Sequence, residues 1–241
     1  MTTAITPPWA EIDTVMFDMD GTLLDLHFDN YFWQDHIPLV YSRSQGISHA
    51  AAIEEVASRC AEVHGTLDWY CLDFWASSLQ LDINALKREL SHKIRIRPNV
   101  IALLSALKQA RKRLLLITNA HPDSLSLKLA HTNIGEHFDH TISSHRLRLA
   151  KENHGFWKAL RQLEPYDPER SLLIDDSIPV LRQAAREGIR HLYAIHQPDS
   201  RQAPLTALEF PQIRDFEHII PAVTPCAGQS GLVRHSEEQL P

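Results

Sequence analysis

An apolar run that stops at two acids constrains this chain more than any other feature. Thr14 to Phe17 reads as a buried strand, too short for a helix, and Asp18, Met19, Asp20, Gly21 and Thr22 follow without a break. Side chains alternate along a strand, so Asp18 and Asp20 leave its end on one face. Gly21 lets the backbone turn sharply there and bring N–H groups near a ligand. Two carboxylates held that close repel unless a cation or a shared proton separates them. At neutral pH a hard, oxygen-seeking ion such as Mg²⁺ meets that need.

Beyond this strand the texture changes. From about residue 28 to 94 the patterns are helical with no convincing strand, and the last helix, capped by Asp82, turns Ile83, Leu86 and Leu90 to one face. After Arg97 helices and strands alternate. Pro98 opens a helix, Leu114 to Thr118 is a strand, Pro122 to Thr132 a helix and Phe138 to Ser143 a strand. Glu152 to Leu163 is then a helix, Ser171 to Asp175 a strand, Pro179 to Glu187 a helix and Ile189 to Ile195 a strand. Such alternation predicts an α/β fold, a doubly wound parallel sheet with helices on both faces, into which an all-helical segment is inserted. The expected organisation is a core of residues 1–24 and 96–223, a helical cap of 25–95 and a flexible tail of 224–241.

At 241 residues the chain can bury a full core, and 44% hydrophobic with 22% charged residues is ordinary globular composition. A formal charge of -6 supplies no basic face, which excludes polymeric nucleic acid as the expected partner while leaving room for a small anion. Cys60, Cys71 and Cys226 are odd in number and lack CxxC spacing, against both a disulfide framework and a zinc site; reduced thiols fit a cytoplasmic protein. No signal-peptide pattern or bilayer-length apolar stretch is present, so no membrane association is expected.

In a doubly wound sheet ligands sit at the carboxyl ends of the strands, and three further strand ends carry polar groups. Thr118 and Asn119 bring a hydroxyl and fresh backbone N–H groups just before a helix, an arrangement that holds phosphate oxygens. Lys151 follows the next strand, placed to neutralise a phosphoryl group or a nucleophilic carboxylate; Lys158 lies downstream on the same expected helix. Asp175 and Asp176 form a second acid pair. Oxygens from the two pairs are enough to hold Mg²⁺ with positions left for water and substrate.

This order of motifs resembles the haloacid dehalogenase superfamily of phosphohydrolases over roughly Thr14 to His196. The family's DxDGT matches Asp18 to Thr22, its Ser/Thr motif Thr118, its lysine Lys151, and its acidic pair Asp175 and Asp176. Glu152 stands where the family often has proline. The resemblance implies that Asp18 attacks phosphorus to form an aspartyl-phosphate, and that Asp20 protonates the leaving alcohol and later activates water. It also implies Mg²⁺ held by Asp18, the Asp20 backbone carbonyl and Asp176 with help from Asp175, and oxygens clamped by Thr118, Asn119 and Lys151.

The stretches Asp25 to Trp33, Leu67 to Asp73 and Thr118 to Pro122 are similar to the purine 5′-nucleotidases of that superfamily, which act on GMP and IMP. The implied activity is Mg²⁺-dependent hydrolysis of purine nucleoside 5′-monophosphates. Alternatives are the same chemistry on a sugar phosphate or phosphoglycolate, a phosphomutase, or binding of a phosphorylated metabolite without turnover. Phe28, Phe32, Trp33, Trp69, Tyr70 and Trp75 serve either as helical core, the first expectation, or as a platform for a base.

Overall fold

A computed structural model describes residues 6–206 and 209–222 of the protein. The first strand, β1 (Thr14–Phe17), leads into a run of helices: α1 (His27–Tyr31), a π-helical turn at Phe32–His36, α2 (Ile37–Gln45), α3 (His49–Val63), α4 (Leu72–Leu79) and α5 (Ile83–Glu89). Alternation follows, through α6 (Val100–Gln109), β2 (Arg113–Thr118), α7 (Pro122–Thr132), β3 (His140–Ser143), α8 (Phe156–Leu163), β4 (Ser171–Asp175), α9 (Ile178–Arg186), β5 (His191–Ile195) and the two-residue β6 (Gln212–Ile213).

The six strands are parallel and lie in the order β3-β2-β1-β4-β5-β6. The chain winds outward from β1 to β3, returns to β4 beside β1, and winds outward again. The switch between β1 and β4 opens a crevice at their carboxyl ends. Phe17 pairs with Ile174 across that switch, which brings Asp18 level with Asp175.

Both faces of the sheet are covered, so the central strands β1, β2 and β4 carry apolar residues in consecutive positions and not merely in alternate ones. Val15, Phe17, Leu114, Leu116, Leu172 and Ile174 point to one layer with α6; Met16, Leu115, Ile117 and Leu173 point to the other with α8 and α9. The helical segment has a core of its own, built on Phe32, Ile37, Tyr41, Val56, Trp75 and Leu79. It leaves and rejoins the sheet through paired chain: Leu24 bridges Ile96 in antiparallel fashion, and the Asp25 N–H donates to the Arg95 carbonyl at 2.9 Å.

Local chemistry sets several boundaries. Asp82 caps α5 by accepting from the Ala85 N–H at 2.8 Å, and Pro122 occupies the first turn of α7, where its missing N–H costs nothing. The helix expected from Glu152 begins instead at Phe156, because Gly155 takes φ 87 and residues 151–155 form turns. The helix expected from Pro98 likewise begins at Val100, after Asn99 at φ 62. The strand expected from Phe138 starts at His140. Residues 224–241, expected as a tail, lie outside the described residues. Among the described residues no helix is long and apolar enough to cross a membrane.

Candidate active site

The crevice at the β1–β4 switch is where the predicted residues meet. Asp18 follows β1 directly, Thr118 closes β2, Asp175 closes β4, and Asp176 stands one residue beyond. Lys151 reaches them from the turn before α8. Its Nζ donates to Asp18 Oδ1 at 2.5 Å, to Asp175 Oδ2 at 2.6 Å and to the Ile117 carbonyl at 3.2 Å, with the side chain 2% exposed. Lys158 is exposed on α8, away from this cluster. The turn that delays α8 thus frees Lys151 to point inward.

One oxygen from each of Asp18, Asp175 and Asp176 falls within 4.8 Å of the others. Burial pushes the Asp18 carboxyl up to about 6; Asp175 adds to the rise and Lys151 opposes it. Asp176 is raised well above the ordinary carboxylate range by burial, then by Asp18 and Asp175. Burial also works against the Lys151 ammonium, but Asp175 and Asp18 outweigh it and hold the group protonated. Three acids against one ammonium leave an excess of two negative charges, and a divalent cation with oxygen ligands matches that deficit. Both oxygens of Asp175 are engaged, Oδ2 by Lys151 and Oδ1 by the Ser177 N–H at 2.9 Å. No lysine, arginine or histidine pairs with Asp176 among the described residues. Gly21, at φ +83, lies so close that a Cβ on it would sit 2.5 Å from Asp176 Oδ2.

Asn119 holds the loop around the cluster. Its Oδ1 accepts the Lys151 N–H at 2.9 Å, and its Nδ2 donates to Glu152 Oε2 at 2.8 Å. The other Glu152 oxygen accepts from Tyr70 of the helical segment at 2.9 Å. Glu152, which departs from the family's usual proline, therefore ties that segment to the strand-end loops. Thr118 Oγ1 is buried and accepts the Ala120 N–H at 3.0 Å.

Asp20 stands apart from the trio and joins a second buried network. Lys128 of α7 contacts Asp20 Oδ1 at 2.7 Å and Asp29 Oδ2 at 2.6 Å, and Lys87 of α5 contacts Asp29 Oδ1 at 2.7 Å. Burial raises the Asp20 carboxyl to about 6 against Lys128, with Asp29 and Asp18 adding to the rise. For Asp29 burial acts the same way, but the two ammonium groups outweigh it and keep the carboxyl ionised well below the usual range. Sequence reasoning missed Lys128, Lys87, Asp29 and Glu152. A signal did exist: Lys87 sits four residues after Ile83, on the face assigned to the core, and Lys128 follows Ser124 and Leu125 on the buried side of α7.

Above both networks lies a cavity of about 940 Å³. Its floor holds Asp18, Asp20, Thr118 and Lys151, and its far wall is Trp33, Trp69, Tyr70 and Trp75. Phe28, Phe32 and Trp75 are buried as core, and Trp75 also lines the cavity; Trp33, Trp69 and Tyr70 are half-buried and line it with more of their surface open.

Comparison with known proteins agrees with this architecture. The chain is 40% identical to the GMP/IMP nucleotidase YrfG of Escherichia coli (strain K12) over 215 residues, 89% of this chain and 97% of that protein. Its fold is similar to an HAD phosphatase from Thermococcus onnurineus (TM-score 0.71, 21% identity, 86% of this chain and 95% of that one). It is also similar to the magnesium-bound HAD-hydrolase YfnB of Bacillus subtilis (TM-score 0.57, 17% identity, 86% and 96%). The model of the haloacid dehalogenase-like hydrolases matches residues 12–188, and with that span and the YrfG identity the chain belongs to this hydrolase family.

Proposed function

We propose that the protein is a Mg²⁺-dependent phosphomonoesterase acting on purine nucleoside 5′-monophosphates, GMP and IMP foremost. The observation that carries the reading is the convergence of Asp18, Asp175 and Asp176 on one point beside Lys151, beneath a cavity with an aromatic far wall. The 40% identity to a GMP/IMP nucleotidase supports the choice of substrate.

Asp18, Asp176 and the Asp20 backbone carbonyl would hold the ion. Asp175 would instead orient Lys151, since both its oxygens are engaged. When bound, Mg²⁺ neutralises charge between the nucleophile and the phosphoryl oxygens. Asp18 attacks phosphorus; the ester P–O bond breaks, and the departing ribose oxygen takes the proton of Asp20. Asp20, now a carboxylate, removes a proton from water as its oxygen attacks the aspartyl-phosphate, which frees phosphate and restores both acids. Lys151, Thr118 and the Asn119 backbone hold the non-bridging oxygens during both steps. Residues 25–95 act as a cap that excludes bulk water and admits small esters only. A cytoplasmic location fits a nucleotide substrate.

A panel of phosphate esters with Mg²⁺, read by released phosphate, tests the reading. Highest kcat/KM is expected for GMP and IMP over AMP, pyrimidine nucleotides, sugar phosphates and phosphoglycolate. Preference for a non-nucleotide ends the purine assignment, isomerised product in place of phosphate makes the protein a phosphomutase, and no turnover of any ester removes the phosphatase.

A further inference from the structure

Three soft or borderline ligands that the mechanism leaves unused meet at the seam between the helical segment and the sheet. Cys71 comes from the residue before α4, His121 from the N-terminus of α7, and His145 from the turn after β3. Their ligand atoms, one sulfur and one nitrogen from each imidazole, lie within 4.8 Å of one another. The two imidazoles meet edge to face with ring centres 5.0 Å apart. His145 Nε2 is shut off from solvent without a hydrogen-bond partner in the protein, a cost that a bound ion removes. Oδ2 of the largely exposed Asp73 lies 3.6 Å from His121 Nε2.

We propose that Cys71, His121 and His145 form a second metal site, separate from the carboxylate cluster and selective for a zinc-class divalent ion. Thiolate with two imidazoles is a donor set that Mg²⁺ disfavours and Zn²⁺ or Co²⁺ accepts, with three protein ligands and one open position. Binding releases the Cys71 thiol proton to solvent, because the thiolate is the ligand. Sequence separations of 50 and 24 positions between the ligands explain why no spacing motif announces the site. An ion here ties the helical segment to two strand-end loops of the sheet, so its occupancy holds the seam shut.

The test is a Co²⁺ titration of the full-length protein in saturating Mg²⁺ with a phosphine reductant. One equivalent of Co²⁺ is expected to give a thiolate-to-cobalt charge-transfer band in the near ultraviolet, discharged by equimolar Zn²⁺. Cys71→Ser abolishes the band and His145→Ala weakens or abolishes it, while Cys60→Ser retains it. Absence of the band in the parent protein, its survival in Cys71→Ser, or its loss in Cys60→Ser alone overturns the proposal. Circular dichroism of each variant confirms that the folded protein is being measured.

Discussion

Gly21→Ala separates stability from catalysis in a way few substitutions here can. The residue takes φ +83, a conformation that costs an L-residue roughly 1–2 kcal/mol. The new Cβ also meets the Asp176 carboxylate, at 2.5 Å from Oδ2 and 2.7 Å from Cγ. To reach ordinary van der Waals contact at 3.4 Å that carboxylate must retreat by about 0.9 Å, and a displacement near 1 Å at a reacting centre costs on the order of 10²-fold in rate. Gly46 supplies the control. It has φ +66 with nothing within 4 Å of an added Cβ, so Gly46→Ala carries a similar backbone cost and no contact. Urea unfolding of both variants should show comparable losses of roughly 1–2 kcal/mol. Phosphate release across a Mg²⁺ titration should fall about 100-fold, with a weakened Mg²⁺ requirement curve, in Gly21→Ala alone. Parent-like turnover and Mg²⁺ dependence in Gly21→Ala, or equal activity losses in the two variants, would refute the argument that this glycine makes room for a metal-holding Asp176.

Two further outcomes follow from the buried charges. Lys128→Met leaves Asp20 without its ammonium, while Asp29 keeps Lys87, and should cost about 3–5 kcal/mol in urea unfolding, partly recovered by adding Asp20→Asn; a loss under about 1 kcal/mol contradicts the network. Asp18 titrates at about 6 in the folded protein against 3.8 as its ordinary value, so in between the folded state holds the extra proton and stability falls as pH rises. For chelated protein this contribution is on the order of 1 kcal/mol between pH 5 and pH 7; Asp20, raised in the same way, adds its own, so the pH dependence is reduced in Asp18→Asn and offset by Mg²⁺ in the parent. Chemical denaturation at the two pH values checks it, and an identical pH dependence in Asp18→Asn would count against it.

Much of this architecture is legible in the sequence because its strands are short apolar runs bounded by residues with only one good use. Thr14–Phe17 ends at two acids, Ser171–Asp175 ends the same way, and Pro122 marks the start of α7. The alternation after Arg97 is enough to give the parallel sheet. What escaped depends on tertiary contact. Gln212–Ile213 is too short to show any periodicity and becomes a strand only because β5 offers an open edge. Gly155 moves the start of α8 through a backbone angle that composition does not announce. The motif residues at 18, 118, 175 and 176 stand at strand ends or just after them, and Lys151 in the turn before α8, all places that local pattern can locate. Lys128, Lys87 and Asp29 lie on different helices, and only the docking of the helical segment on α7 makes a network of them.

The most direct test of the central claim is rapid acid quenching of the Mg²⁺-loaded enzyme during turnover of its best ester, followed by peptide mass spectrometry. A phosphoryl group on Asp18, absent from Asp18→Ala, is the predicted result. Steady phosphate release with Asp18 unlabelled at every quench time, or with the label on another residue, would contradict it.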